Sequence, residues 1–163
     1  MHNESGAKDF HCNISHRHHP LKILVIDGQG GGLGKSIVEQ LKSARRDGAF
    51  SRECEIIAIG TNSAATAAML KAGADAAATG ENAVIYNSKH ADIITGAGGI
   101  CFSNSMRGEI SPEMAGAVCE SGAVKILIPV PMQRCNINIM GVVEKPMANY
   151  IAEAVEKIKF YLE

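Results

Sequence analysis

The chain is predicted to be an α/β protein: a three-layer, doubly wound parallel sheet of about five strands, with a sixth strand at one edge. Three observations lead there. Short and almost uninterrupted apolar runs recur at 21–26, 55–59 and 124–130, as expected of parallel strands covered on both faces. Helical patterns lie between them, so strand and helix alternate along the chain. Alanine and glycine are abundant (17 glycines) while aromatics make up only 4%, which suits close packing of helices on a sheet.

The elements follow in order. Residues 21–26 form the first strand, and Leu33, Ile37 and Leu41 then mark a helix face that ends near 45–48. The second strand is 55–59. Gly60, Thr61, Asn62 and Ser63 make a turn and cap before a small-residue helix at 64–71, stopped by Gly73. A weak third strand at 74–78 precedes a short helix that runs through Lys89. The fourth strand is 91–95, with Gly96, Gly98 and Gly99 directly after it. Ser111, Pro112 and Glu113 supply a capping hydroxyl, a first-position proline and a first-turn acid for a helix ending at Gly122. The fifth strand is 124–130. Residues 135–143 alternate, with Ile137 and Ile139 against Asn136 and Asn138, which reads as the half-exposed sixth strand. Pro146 opens a last helix whose Met147, Tyr150, Ile151, Ala154, Val155, Ile158 and Leu162 share one face.

Composition narrows the function. The 163 residues suffice for one domain, 21–163, after a leader or tag at 1–20 that carries His2, His11, His16, His18, His19 and Cys12. A metal-binding tail is the functional alternative for that leader. A net charge of −1 argues against nucleic acid, and no apolar run approaches the roughly 18 residues of a membrane span. Five cysteines without paired spacing read as free thiols, so a cytoplasmic setting is expected.

Ligands of doubly wound sheets lie beyond the carboxyl ends of the strands. That rim gathers the loops 27–34, 60–66, 79–82, 96–107 and 130–136. The first is the most informative: Gly28, Gln29, Gly30, Gly31, Gly32, Leu33 and Gly34 put five glycines into seven positions between a strand and a helix. Glycine lets backbone N–H groups reach a phosphate, whereas packing alone asks for one or two. Thr61, Asn62 and Ser63 are placed at the ribose, and Gly96, Gly98, Gly99 and Asn104 beneath the ring side of the ligand. Arg107 and Arg134 are the rim's candidate cations. Glu81 and Glu109 read as solvated loop acids, Cys119 as core and Cys135 as a rim thiol without a histidine partner. No catalytic residue and no metal ligand set is assigned.

The strict dinucleotide pattern G-x-G-x-x-G fails at Leu33, but G-x-x-x-G-x-G fits at Gly28, Gly32 and Gly34 and resembles the short-chain dehydrogenase/reductase fingerprint. That resemblance implies a Rossmann-like nucleotide-binding domain with pyrophosphate at the helix start. No acid follows the second strand, where NAD enzymes carry one, so NADP is favoured over NAD. The family's Tyr-x-x-x-Lys pair is absent. Residues 31–36 also resemble the core of deviant Walker loops, which implies ATP–Mg through Lys35 and Ser36, although Gly30 replaces that family's signature lysine.

The glycine loop taken with 60–63, 78–82, 104–110 and 134–136 is similar to an uncharacterised family of short, single-domain bacterial proteins, mainly from Firmicutes, of unknown function. The expectation is therefore a small cytoplasmic nucleotide-binding protein, for NADP(H) or NAD(H), acting as a sensor or accessory module. A homodimer is one way for so small a domain to complete its site. The alternative is a P-loop-like ATP-binding protein, or a phosphate-ester enzyme of methylglyoxal-synthase-like architecture.

Overall fold

Seven residues form β1 (Leu21–Asp27), and their side chains divide by parity, as the pleat of a strand requires. Leu21, Ile23 and Val25 enter one core and Leu24 and Ile26 the other, all fully buried. This is why the run carries no polar alternation: both faces are covered. The computed structural model describes residues 19–129 and 137–163.

Around β1 lie β2 (Cys54–Gly60), β3 (Ala76–Thr79), β4 (Ile93–Ala97) and β5 (Val124–Ile128). Every pairing is parallel, and the strand order is β3-β2-β1-β4-β5. One layer holds α1 (Gly32–Arg46), α2 (Ser63–Lys71) and α5 (Met147–Leu162), which bury Ile37, Leu41, Met69, Ile151 and Ile158 in the first core. The other holds α3 (Glu81–Ser88) and α4 (Pro112–Glu120), which bury Val84, Met114 and Val118 in the second. The expected start of α4 is present: Ser111 Oγ accepts from the Met114 N–H at 3.2 Å, with Pro112 as first residue.

Two features of the sheet position the site. The carboxyl ends are level, with Asp27 opposite Gly60, Gly60 opposite Thr79, and Ile26 opposite Gly96. And the chain moves outward from β1 through β2 to β3, then returns to the other side of β1 as β4. The direction of winding therefore reverses between β1 and β4, and the glycine loop leaves β1 at that reversal.

Two expectations need correction. The sixth strand is absent over 137–143; positions 135 and 136, like the rim loop 130–136 and Arg134, lie outside the described residues. Val142 N–H instead donates to Ile139 O at 3.3 Å, around Met140 and a left-handed Gly141 (φ 85°), so the backbone closes a turn rather than a ladder. Ile139, Met140, Val142 and Val143 are all exposed, and the alternation reflected half-exposure without pairing. Gly96, expected after the fourth strand, is inside β4: its φ is 154°, and a Cβ there would stand 2.3 Å from Ile26 O. No described helix is long and apolar enough to cross a membrane.

Candidate functional site

Asp27, the last residue of β1, is the clasp of the glycine loop. Its carboxylate is buried, with Oδ1 accepting from Gly28 N–H at 2.8 Å and Oδ2 from Gly34 N–H at 2.6 Å. One side chain thus holds both ends of the loop. Burial pushes this carboxyl above its ordinary range; the Gly34 and Gly28 N–H groups oppose the rise, and the charge of Glu109 adds to it.

Within the clasp the five glycines serve different purposes. A Cβ on Gly28 would stand 2.5 Å from Glu109 Oε2 and 2.6 Å from Thr61 Oγ1. At Gly31, which is left-handed (φ 70°), it would meet the Ala65 Cα of α2 at 2.6 Å, and at Gly34 the Met69 Sδ at 2.5 Å. Those three are required by packing. Gly30 and Gly32 are not: a Cβ on either meets nothing within 4 Å, and neither backbone is left-handed. Both are exposed on the lip of the rim. Leu33, where the strict fingerprint wants glycine, packs against both cores.

The second loop is tied to the first. Thr61 N–H donates to Asp27 O at 2.9 Å. Asn62 caps α2, its Oδ1 accepting from Ala65 N–H at 2.9 Å, while its Nδ2 donates to Gln29 O at 2.9 Å. Ser63 is the exposed first residue of α2.

The residue that joins these loops comes from a third. Glu109 Oε2 accepts from Gln29 N–H at 2.8 Å, from Asn62 Nδ2 at 3.1 Å and from the Thr61 hydroxyl. Burial would raise this carboxyl, but the donors from Thr61, Gln29 and Asn62 outweigh it and hold Glu109 below the ordinary range, ionised at neutral pH. The segment that delivers it is unusual. Asn104, Met106 and Arg107 are non-glycine residues in the left-handed region, followed by Gly108 at φ 86°. Such residues cost about 1–3 kcal/mol each and persist only where neighbours hold them. Here the Asn104 N–H donates to Ile110 O at 2.7 Å, Ser105 Oγ donates to Gly99 O, and Met106 is buried beside Gly28.

The sequence-predicted residues therefore separate into groups. Gly28, Gln29, Thr61 and Asn62 come together around Glu109. Gly30 and Gly32 line the open lip. Gly96, Gly98 and Gly99 are buried in β4 and in the 3-10 turn Gly98–Cys101, with Asn104 exposed beyond them. Asp27 and Glu109 carried no assigned role, and Glu109 is no solvated loop acid. Its partner Gln29 is 80 positions away, out of reach of any local pattern. Lys35 pairs with Glu39 at 3.7 Å on the exposed face of α1, and Ser36 Oγ donates to Gly32 O at 3.1 Å. Cys119 is exposed rather than core and donates to Cys101 O at 3.8 Å; burial and the neighbouring Cys119 push the Cys101 thiol up to about 12. Among the described residues no group of three or more His, Cys, Asp or Glu could hold a metal ion.

A glycine loop clasped by its own strand, and joined to a third loop by a glutamate, sits at the winding reversal of a five-stranded parallel sheet. The same chain fits one family model from β1 to the end of α5, over residues 22–163. The chain belongs to DUF3842, a domain of unknown function. No curated protein and no solved structure matches it. All the described loops of the rim fall inside the DUF3842 match, so clasp, lip and glutamate are parts of this domain rather than of an appendage.

Proposed function

We propose that this DUF3842 domain binds a nucleotide, NAD(H) or NADP(H) foremost, across the carboxyl ends of β1 and β4, and serves in the cytoplasm as a sensor or accessory module. The observation that carries this reading is the pair Gly30 and Gly32 at the winding reversal. Glycine costs about 0.5–1 kcal/mol of backbone freedom relative to alanine. Packing explains Gly28, Gly31 and Gly34, but the fold asks for glycine at neither 30 nor 32. What glycine supplies on that lip is close approach of a ligand to the N-terminus of α1, a terminus that favours phosphate. The strand order β3-β2-β1-β4-β5 agrees with the dinucleotide-binding order, in which the ligand lies at the β1/β4 crevice.

ATP–Mg is less well served. Lys35 and Ser36, its two contacts, are engaged with Glu39 and Gly32 O, and β4 ends in Thr95, Gly96 and Ala97 with no carboxylate for a metal. The homodimer belongs to the same reading: among the described residues β5 ends the sheet, and Ile139, Met140, Val142 and Val143 are apolar surface for a second copy to cover.

Thermal shift against NADH, NADPH and ATP–Mg tests the proposal. A rise with a nicotinamide nucleotide, abolished in Gly32→Val, is the expected result. A Cβ at position 32 meets open space, so the variant is expected to fold, and its urea midpoint without ligand checks this. No rise with any nucleotide overturns the reading.

A further inference from the structure

In dinucleotide-binding sheets an acid at the end of β2 accepts hydrogen bonds from the ribose hydroxyls. Here β2 ends in Gly60, and Thr61, Asn62 and Ser63 follow it, none of them acidic. The place is nevertheless occupied by a carboxylate. Glu109 reaches across from the loop after β4 and rests on the first residues beyond β2 and on the second residue of the glycine loop. It lies so close over Gly28 that a Cβ there would stand 2.5 Å from its Oε2.

We infer that Glu109 is the acid of this site, supplied from the β4 side, and that it selects an unphosphorylated ribose: NAD(H) over NADP(H). The inference rests on the nucleotide reading above and reverses the preference that the missing acid after the second strand implies.

The geometry supports it in three ways. The hydrogen bonds to Glu109 from Gln29, Thr61 and Asn62 all converge on Oε2, which fixes the carboxylate, and Oε1, with no hydrogen-bond partner among the described residues, is placed to accept from a ligand hydroxyl. The donors are a backbone N–H, a hydroxyl and an amide, and among the described residues no cation pairs with the group to cancel its negative charge. And Asp27, buried beneath the loop, is a second carboxylate close enough to feel the charge of Glu109. A 2′-phosphate brought to this point meets like charge, whereas a neutral diol meets an acceptor.

A competing role is a resident stand-in: a protein carboxylate filling an anion seat that a ligand phosphate must claim. The two roles predict opposite consequences of removing the charge. Direct binding of NADH and NADPH is measured by titration calorimetry on wild type and Glu109→Gln, which keeps the length of the side chain and a carbonyl oxygen for the three donors. Wild type is expected to bind NADH about tenfold or more tighter than NADPH. In Glu109→Gln the ratio falls to within about threefold, through weaker NADH, stronger NADPH or both. The wild-type comparison stands even if the variant folds poorly. NADPH binding as well as NADH in wild type overturns the assignment, as does an unchanged ratio in a folded variant. Tighter binding of both nucleotides by Glu109→Gln overturns it in favour of the stand-in. Failure of both to bind wild type takes down the nucleotide reading itself, and this inference with it.

Discussion

The two ends of the sheet both carry a carboxylate that accepts backbone N–H groups, and they treat its charge in opposite ways. At the amino end Asp75, just before β3, accepts from Ile56 N–H at 2.9 Å and is gripped by Arg45, with Nη1 and Nη2 each 2.7 Å from one of its oxygens. Lys42 adds a third cationic contact at 3.3 Å. The Arg45 hydrogen bonds lead in holding this carboxyl well below the carboxylate range, against the burial that opposes them. At the carboxyl end Asp27 and Glu109 are held by uncharged donors and repel each other. A hollow of about 530 Å³ opens at the amino end beside Arg45, Phe50, Glu53 and Asp75, yet its Arg45 and Asp75 are already paired with each other. Size and chemistry therefore point to different ends. A group whose charge is cancelled inside the chain ties elements together, whereas one left uncancelled keeps an interaction for something else.

The sharpest break in that comparison comes from the glycines of the carboxyl end. Gly31→Ala forces a side chain into the α2 backbone from a left-handed conformation, and roughly 3 kcal/mol of stability is expected to be lost. Gly30→Ala and Gly32→Ala meet open space and are expected to change stability by less than about 1 kcal/mol, on the stabilising side. Urea unfolding of the three variants measures this. Equal losses at 30, 31 and 32 would mean that the lip is structural after all, and the division between packing and ligand glycines would collapse.

Next come the two clasps. Asp27→Asn turns an acceptor of two N–H groups into a side chain whose amide faces one of them, which costs about 2 kcal/mol. The relief of burying one charge fewer offsets part of the loss. Asp75→Asn gives up a paired but partly exposed charge, and about 1 kcal/mol is expected. That smaller loss shrinks in high salt because screening weakens the pair in the wild type, whereas the Asp27 loss does not. A salt-insensitive Asp75→Asn deficit would show that shape rather than charge holds the amino end.

These contrasts explain what the sequence could reveal. Strands covered on both faces are continuous apolar runs, and glycine and proline punctuate them, so the five strands and the order of helices were legible. The glycine loop was legible too, because its residues are neighbours in the chain. Its partition was not, since it is the approach of Ala65 and Met69, with the left-handed backbone of Gly31, that separates Gly31 and Gly34 from Gly30 and Gly32. Glu109 was the larger loss. A lone acid in a loop carries no periodicity, and three left-handed non-glycine residues ahead of it leave no trace that propensity can read. Asn62 was placed at the ribose, yet its cap to Ala65 and its bonds to Gln29 and Glu109 engage both ends of its amide. Asn62→Asp would set a carboxylate against Glu109, so that substitution reports on loop integrity before it reports on a cofactor.

The smallest expected effect separates the two ends by sign. Asp27 has a folded pKa above its unfolded value, so its contribution to stability is fully present below the unfolded value of about 3.9 and is lost as pH rises through the folded one. Asp75 and Glu109 are depressed when folded; their contributions are present above the unfolded values and disappear as pH falls through the folded ones. Urea midpoints from about pH 3 to 7 should therefore carry two opposed slopes, an acid limb from the depressed pair and a shallow decline with rising pH from Asp27. Asp75→Asn is expected to flatten the acid limb alone, and Asp27→Asn the decline alone, since neither asparagine has a proton to exchange. If Asp27→Asn leaves the decline in place, Asp27 does not hold its proton above the ordinary range. The carboxyl end would then carry two negative charges from about pH 5 upward, and Glu109 would face a stronger repulsion there than the clasp geometry implies.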